Sequence, residues 1–295
     1  MIQYHILLTA AIAVIRLVNG IIDNLVYISP NRHLLYVTDI GSASVGTASG
    51  KLEHLSCFLP GMIALGAKYL EEESTFSPEM KRMWNWVAEG LATTCWWVEL
   101  TYICASSGCT QSESDTGSRM RIKLPVSTAL FSTRARFHLT CLTLGLGPDE
   151  VMFAHWSGDA KRGLWMNHVQ KWMANGRPGG VPPGVRGAKP LRGSKQGERD
   201  YSIRLDTYQL RPEVSKMKRT LERRIKHALM CFASFPKTVE SLFVLYRTTG
   251  DSIWRDRAWE IFEAIRKHCK VEGGGYSSVT GLDRNTPFNS DAMPR

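Results

Sequence analysis

The clearest repeat of apolar positions lies in the second quarter of the chain. Ser77 and Pro78 are residue types preferred at the N-cap and the first position of a helix. An apolar stripe with spacings of three and four residues follows, consisting of Met80, Met83, Trp84, Val87, Leu91 and Cys95. Such spacing places these side chains on one helical face, so the pattern predicts a helix that begins at residue 78.

A second helical pattern lies nearer the C-terminus and divides in two at Gly250. Residues 238–247 carry apolar side chains at Val239, Leu242, Phe243 and Tyr246. Gly250 suits the end of a helix, and Asp251 suits the N-cap of the next one. The following segment, residues 252–268, has apolar positions at Ile253, Ala258, Ile261, Phe262 and Ile265. Together these segments predict an αα-hairpin with a short turn.

The remaining local signals are weaker. Short strands are predicted at residues 34–38 and 276–279, and residues 176–197 are rich in Gly, Pro, Lys and Arg and predict a long loop. Residues 6–15 form an apolar run that suits either a buried helix or the core of a signal peptide. The helix is favoured because Tyr4 and His5, rather than basic residues, precede the run.

The net positive charge of the chain does not by itself indicate a function. The value of +10 would favour a nucleic acid or an anionic surface as partner. The excess is local, however: residues 214–237 carry +6 and residues 97–143 carry +2. The same two stretches contain four of the seven cysteines, and no cysteine spacing indicates a zinc site. A nucleic-acid partner is therefore not expected.

Three blocks of sequence carry a family resemblance. They are KLEHLSCFLPGMIALG at residues 51–66, YQLRPE at 208–213 resuming as TVESLFVLYRTTGD at 238–251, and GGYSSV at 274–279 followed by DAM at 291–293. In this order they resemble glycoside hydrolase family 47, the class I α-mannosidases. The resemblance implies an all-α fold, a partial (αα)7 barrel with short β-hairpins in its loops.

The resemblance also implies a chemistry. Family members hydrolyse α-1,2-linked mannose from high-mannose N-glycans with inversion, depend on Ca²⁺, and work in the secretory pathway, either the endoplasmic reticulum or the Golgi. In an inverting mechanism one carboxylic acid protonates the leaving oxygen while another carboxylate activates water on the opposite face of the sugar. Membrane attachment is expected only through an N-terminal anchor that this chain lacks.

Several residues inherit roles from the resemblance. Glu213 matches the general base, Arg211 a substrate contact, Glu240 an acidic residue of the cleft floor, and His54 a residue lining the same cleft. Without the resemblance three of these residues have an ordinary alternative: a first-turn carboxylate for Glu213, a solvated helix residue for Glu240 and a buried core residue for His54.

Cys57 and Cys95 match the intradomain disulfide of the family, which suits an oxidising compartment. Spacing alone would equally allow two buried thiols. The family's general acid and its calcium-binding Thr have no match here, so no metal ligand is assigned. Residues 1–295 are therefore expected to form an incomplete catalytic domain without activity. The alternative is a non-catalytic relative that binds mannose glycans in quality control.

Two stretches interrupt the resemblance. Removing residues 214–237 joins Glu213 directly to Thr238 and restores the family sequence without a gap, which indicates an intron translated in frame. Residues 97–143 are expected to be a second foreign insertion. The rival interpretation of 214–237 is a basic amphipathic helix, because apolar residues recur at helical spacing at Val214, Met217, Leu221, Ile225 and Leu229.

Overall fold

The fold is predominantly helical. The computed structural model describes residues 2–40, 48–70, 76–101, 150–154, 156, 160–189, 201–202, 230–231, 237–271, 274–276, 278–280 and 288–290. Six α-helices lie within these ranges: α1 Ile2–Asn24, α2 Leu59–Tyr69, α3 Pro78–Thr101, α4 Trp165–Ala174, α5 Lys237–Thr249 and α6 Ser252–His268. Two 3-10 helices accompany them, η1 His54–Phe58 and η2 Ala160–Gly163.

The strands are short and form three antiparallel sheets among the described residues. The first pairs β1 (Val26–Ile28) with β2 (Leu35–Val37). The second has the order β3–β4–β5, with strands Lys51–Glu53, Glu150–Phe153 and Tyr201–Ser202. The third has the order β6–β7–β8, with strands Met230–Cys231, Ser278–Thr280 and Phe288–Ser290.

The main core forms where the apolar faces of the helices meet. Helix α2 packs against α3 and α5, and α5 also packs against α6. The largest fully buried side chains of this core include Trp84, Trp165, Trp254, Ile63 and Leu242. Each helix contributes one stripe to the core, which is the arrangement that spacings of three and four residues produce.

The predicted helix near residue 78 is confirmed. The Ser77 hydroxyl accepts a hydrogen bond from the Met80 amide at 3.2 Å, so Ser77 caps the helix as expected. Trp84, Val87 and Leu91 are fully buried along its predicted face. The helix continues to Thr101 and thus includes the first five residues of the proposed insertion at 97–143; residues 102–149 lie outside the described part.

The predicted pair of helices at the Gly250 turn is also confirmed. Gly250 has a φ of 73°, a conformation that glycine adopts without strain and that commonly ends a helix. The Asp251 carboxylate accepts a hydrogen bond from the Ile253 amide at 3.1 Å and caps α6. This short turn brings α6 back against α5.

The N-terminal apolar run is helical, with Ile15, Val18 and Ile22 buried along α1. No helix in the described residues has both the length and the apolar character that crossing a membrane requires. The strand predicted at 34–38 is present as β2, and the one predicted at 276–279 overlaps β7. The described part of the predicted loop, residues 176–189, contains turns and neither helix nor strand.

Candidate functional site

A disulfide joins η1 to α3. Cys57 and Cys95 are bonded, with their Cα atoms 5.8 Å apart, and both residues are buried. The bond expected from the family resemblance is therefore present. It fixes the segment that carries His54 to the end of α3 that carries Glu99, because His54 lies three residues before Cys57 and Glu99 four residues after Cys95.

Beside the disulfide, three polar side chains from different elements meet. The His54 Nε2 lies 2.8 Å from the Glu99 Oε1, and the Thr238 hydroxyl donates to the same oxygen at 3.1 Å. The Glu99 side chain is only 6% exposed and that of His54 16%. Burying a carboxylate is costly unless donors satisfy it, and here two donors converge on one oxygen. We call His54, Glu99 and Thr238 the junction triad.

Helix α5 holds the same region through Ser241, one turn after Thr238. The Ser241 hydroxyl donates to the Cys57 carbonyl at 2.6 Å and accepts from the Gly61 amide at 3.0 Å. The Gly61 amide lies in the first turn of α2, where backbone donors lack partners within the helix. Ser241 therefore ties α5 to both the end of η1 and the beginning of α2.

The strand before His54 is held by charge. The Lys51 ammonium lies 2.8 Å from Glu150 on β4 and 2.6 Å from Glu53 on its own strand. The hydrogen bond with Glu150, and then that with Glu53, raises the pKa of Lys51, so its ammonium stays protonated across the ordinary pH range. Strand β3, which is paired with β4, ends at Glu53, immediately before His54 at the beginning of η1.

The other three residues expected at the site do not join the junction triad in the described part of the structure. Glu240 lies on the exposed side of α5, with 52% of its side chain exposed and its Oε2 3.5 Å from the Lys237 ammonium. It follows Thr238 by two residues, about 200° around the helix, so it projects away from the side occupied by Thr238. Arg211 and Glu213 lie outside the described residues. The proposed roles of Glu240, Arg211 and Glu213 stay predictions.

Glu99 is the residue that the sequence interpretation missed. It follows Leu91 and Cys95 at spacings of four, so the stripe that predicted the helix also places Glu99 on its buried face. A charged residue on such a face requires partners, and that was the available signal. It was overlooked because residues 97–143 were assigned to an insertion.

A second polar cluster joins α3 to α6. The Arg257 guanidinium lies 4.1 Å from the centre of the Trp96 ring and 5.0 Å from that of Trp254, and it donates to the Thr93 hydroxyl at 3.0 Å. Burial lowers the pKa of Arg257 to about 10, so it stays protonated at neutral pH. The ring contacts and the hydrogen bond are those expected of a structural cation between two indoles.

The described residues do not form a metal site. Within the ranges that the structure describes, no group of three or more His, Cys, Asp or Glu side chains is arranged to hold a metal ion. The junction triad has a single carboxylate, whereas Ca²⁺ takes six to eight oxygen ligands. The described residues therefore do not fit the calcium ion that the family resemblance implies.

Comparison with known proteins places the chain in a family. The family model described as Glycosyl hydrolase family 47 matches residues 14–294. The chain is 26% identical over 284 residues to mannosyl-oligosaccharide 1,2-alpha-mannosidase MNS3 of Arabidopsis thaliana, covering 95% of this chain and 32% of that protein. It is 34% identical over 101 residues to the endoplasmic reticulum mannosyl-oligosaccharide 1,2-alpha-mannosidase of Homo sapiens, covering 34% of this chain and 14% of that protein.

Among solved structures, the alpha-1,2-mannosidase from Trichoderma reesei aligns with a TM-score of 0.46 and 20% identity, over 94% of this chain and 36% of that one. The chain spans about a third of the length of the Arabidopsis relative. Both of these relatives are named as mannosidases, which are enzymes. The assignment of the chain to the family rests on the match between the family model and residues 14–294.

Proposed function

This chain belongs to glycosyl hydrolase family 47, and we propose that the protein it represents hydrolyses α-1,2-linked mannose from high-mannose N-glycans with inversion. The match of the family model over residues 14–294 carries the proposal. The names of the relatives from Arabidopsis thaliana and Homo sapiens agree with that substrate class, and the human name supports a place in the secretory pathway.

The proposed chemistry requires two carboxyl groups on opposite sides of the scissile bond. Glu213 would take a proton from water as that water attacks the anomeric carbon, and a separate carboxylic acid would protonate the leaving oxygen. Arg211, Glu240 and His54 would contact the sugar. No described residue is assigned the acid. Calcium dependence is expected from the family, although no group of three or more His, Cys, Asp or Glu side chains in the described ranges could hold a metal ion.

We propose further that the chain as it stands does not turn over substrate. Residues 214–237 separate Glu213 from Thr238, which the family sequence would place next to each other. Part of this stretch belongs to other elements, since β6 (Met230–Cys231) lies within it and α5 begins at its last residue, Lys237. The (αα)7 barrel and the role of 97–143 as a second insertion belong to the same proposal.

Sequencing the mature transcript and assaying its product tests these points. The transcript is expected to lack the codons for 214–237, and its product to release mannose from a high-mannose N-glycan, initially as the β-anomer. In that product Glu213→Gln is expected to lower kcat by at least ~100-fold, the loss typical of a missing general base.

Retention of codons 214–237, or unchanged hydrolysis by the Glu213→Gln protein, would overturn the proposal. Glycan binding without mannose release would instead support the alternative function, a non-catalytic relative that recognises mannose glycans. The two functions share the cleft residues His54 and Glu240 and differ in the presence of a proton donor.

A further inference from the structure

We propose that a cavity beside helix α4 binds the phosphate monoester group of a small soluble molecule. The cavity has a volume of about 470 Å³ and is lined by residues of η2 and α4. Its lining consists of three cationic side chains, two amide side chains and one small residue: Lys161, Arg162, Lys171, Asn167, Gln170 and Ala174. We call it the α4 cavity. None of these residues has a role in the proposed hydrolysis, and all of them lie outside the stretches interpreted as insertions, 97–143 and 214–237.

Helix α4 presents its polar side to the cavity because its apolar side is buried. Trp165, Val169 and Trp172 lie on one face of the helix and are at most 6% exposed. The Trp165 indole also donates to the Pro183 carbonyl at 2.7 Å. At 100° per residue, the helix residues that line the cavity fall on the opposite face: Asn167, Gln170, Lys171 and Ala174. Packing of the apolar face therefore fixes the face that a ligand would contact.

The part of the wall that η2 contributes is held by side chains of α4. The His168 Nε2 lies 2.7 Å from the Arg162 carbonyl oxygen, and this nitrogen must donate because a carbonyl only accepts. The Asn167 amide nitrogen donates to the Lys161 carbonyl at 2.9 Å. The backbone is thus fixed at both cationic residues of η2, which lowers the entropy that binding a ligand would cost.

The charge around the cavity favours an anionic ligand. Residues 160–189 contain six Lys and Arg residues and no Asp or Glu, and one of the six, Arg186, forms an ion pair with Asp251. Among the described residues that line the cavity, none is acidic. Burial lowers the pKa of His168, the hydrogen bond to the backbone opposes this, and the positive charge of Lys171 lowers the pKa further. A positive potential therefore extends along this side of α4.

The composition of the lining favours a phosphate monoester over a carboxylate. A phosphate monoester carries about −1.5 to −2 charges at pH 7 and three strong acceptor oxygens, whereas a carboxylate brings a single charge to three cations. The Arg162 guanidinium can bind two of these oxygens at once, and a lysine ammonium acts as a point charge. Gln170 both donates and accepts, which suits hydroxyl groups elsewhere on the ligand.

The size of the cavity favours a small ligand. A volume of about 470 Å³ lies within the range of about 300–1,000 Å³ that is typical of small-molecule sites. The cationic side chains lie around one concave surface, and a compact ester can contact several of them together. An extended polyanion would instead be expected to contact a longer row of charges.

Calorimetry on the whole 295-residue chain tests the proposal, with glycerol 3-phosphate as the probe and glycerol as the neutral comparison. The salt concentration is kept low and constant because ions screen exposed charges. Glycerol 3-phosphate is expected to bind and glycerol is not. Absence of binding by glycerol 3-phosphate, or equal binding of the two compounds, would overturn the proposal.

Three variants show whether the cavity is the site. Arg162→Ala and Lys171→Ala are each expected to weaken binding of glycerol 3-phosphate at least about threefold, a modest loss because both side chains are exposed. Lys267→Ala is the matched control, since it removes the same charge from an exposed position on α6. All three are surface changes that leave the fold intact. Equal weakening in the three variants would mean that only the net charge matters, which would contradict a defined site.

Lysine acetylation locates the ligand without any substitution. Lys161 and Lys171 are expected to react with acetic anhydride more slowly in the presence of glycerol 3-phosphate, whereas the rate at Lys267 is expected to stay the same. Mass spectrometry of the digested protein gives the three rates in one sample. Uniform protection of the three lysines, or protection of none, would overturn the assignment of the ligand to the α4 cavity.

A lipid headgroup could offer the same phosphate chemistry, and vesicles distinguish this source. Phosphatidylcholine vesicles with and without phosphatidic acid, which carries a phosphate monoester, are sedimented with the chain. Binding of glycerol 3-phosphate without sedimentation supports a soluble ligand. Sedimentation with phosphatidic acid combined with no binding of glycerol 3-phosphate would overturn the proposal of a soluble ligand and assign the cavity to a membrane surface. Neither result bears on the proposed hydrolysis of mannose linkages.

Discussion

The amide of Gly61 donates a hydrogen bond of 3.0 Å to the hydroxyl of Ser241, although 180 residues separate them in the chain. A Cβ added to Gly61 would lie only 2.9 Å from the Ser241 Cα, which is closer than such atoms approach in real structures. Helix α5 can lie this close to α2, with Ser241 bonded to the Cys57 carbonyl, only because Gly61 has no side chain.

The Gly61→Ala protein should therefore be less stable. The added methyl group has to displace the backbone of α5, and overpacking of this kind costs about 1–3 kcal/mol of the free energy of unfolding. Urea denaturation followed by circular dichroism measures the loss.

Gly20→Ala is the matched control, since Gly20 lies in helix α1 and a Cβ there meets no atom within 4 Å. Alanine in a helix interior gains about 0.5–1 kcal/mol over glycine, so this variant should be slightly more stable. Equal stability changes at Gly61 and Gly20 would show that the close approach of α5 is not present in solution.

The disulfide should contribute measurably to stability. Cys57 and Cys95 are 38 residues apart, and closing a loop of that size typically adds about 2–4 kcal/mol by restricting the unfolded chain. Cys57→Ala combined with Cys95→Ala should lower the melting temperature relative to the oxidised protein.

Reductant provides the control for the disulfide. Adding it should lower the melting temperature of the unchanged chain and leave that of the double variant unaffected. Peptide mapping without reduction should recover residues 57 and 95 in one linked fragment. Recovery of alkylated Cys57 from native, unreduced protein would contradict the assignment.

Stability should fall at alkaline pH because of Cys269. This thiol is 0% exposed, and burial raises its pKa from 9.0 to about 11. The unfolded chain loses the proton at a lower pH than the folded chain. The contribution of Cys269 is therefore fully present below pH 9 and is lost as the pH rises through 11.

Urea denaturation at pH 8, 9, 10 and 11 should show this loss, roughly 2 kcal/mol between the extremes from a shift of this size. Cys269→Ala removes the titrating group, so its stability should depend less on pH over the same range. Parallel pH profiles for the two proteins would contradict a raised pKa at Cys269.

Arg257 should not tolerate replacement by lysine. Its guanidinium is planar and contacts the rings of Trp96 and Trp254 while donating to Thr93, a combination that a compact ammonium cannot reproduce. Arg257→Lys should destabilise the protein by about 1–3 kcal/mol, because it weakens these contacts and buries a more strongly hydrated charge.

Arg255→Lys is the corresponding control two residues away. Arg255 pairs with Asp256 on the surface, with 60% of its side chain exposed, and an exposed ion pair contributes little. Its replacement should change stability by less than about 0.5 kcal/mol. Thermal unfolding that falls equally in both variants would contradict a special role for Arg257.

The local elements could be predicted from the sequence because their determinants are local. Spacings of three and four residues predicted the buried face of α3 and the pair α5 and α6, and Ser77, Gly250 and Asp251 indicated where these helices begin and end. Family resemblance supplied the Cys57–Cys95 bond and the family itself, both of which the structure and the comparisons support.

The junction triad could not be predicted in the same way. His54, Glu99 and Thr238 meet only after η1, α3 and α5 have packed together, and the contact between Glu99 and Thr238 spans 139 positions. Helical periodicity shows which face of each helix is buried, but not which residue of another helix lies opposite. The sequence therefore determined the helices and the family of this protein, whereas tertiary packing decided which buried polar groups became partners, because a buried carboxylate is stable only where the fold brings donors to it.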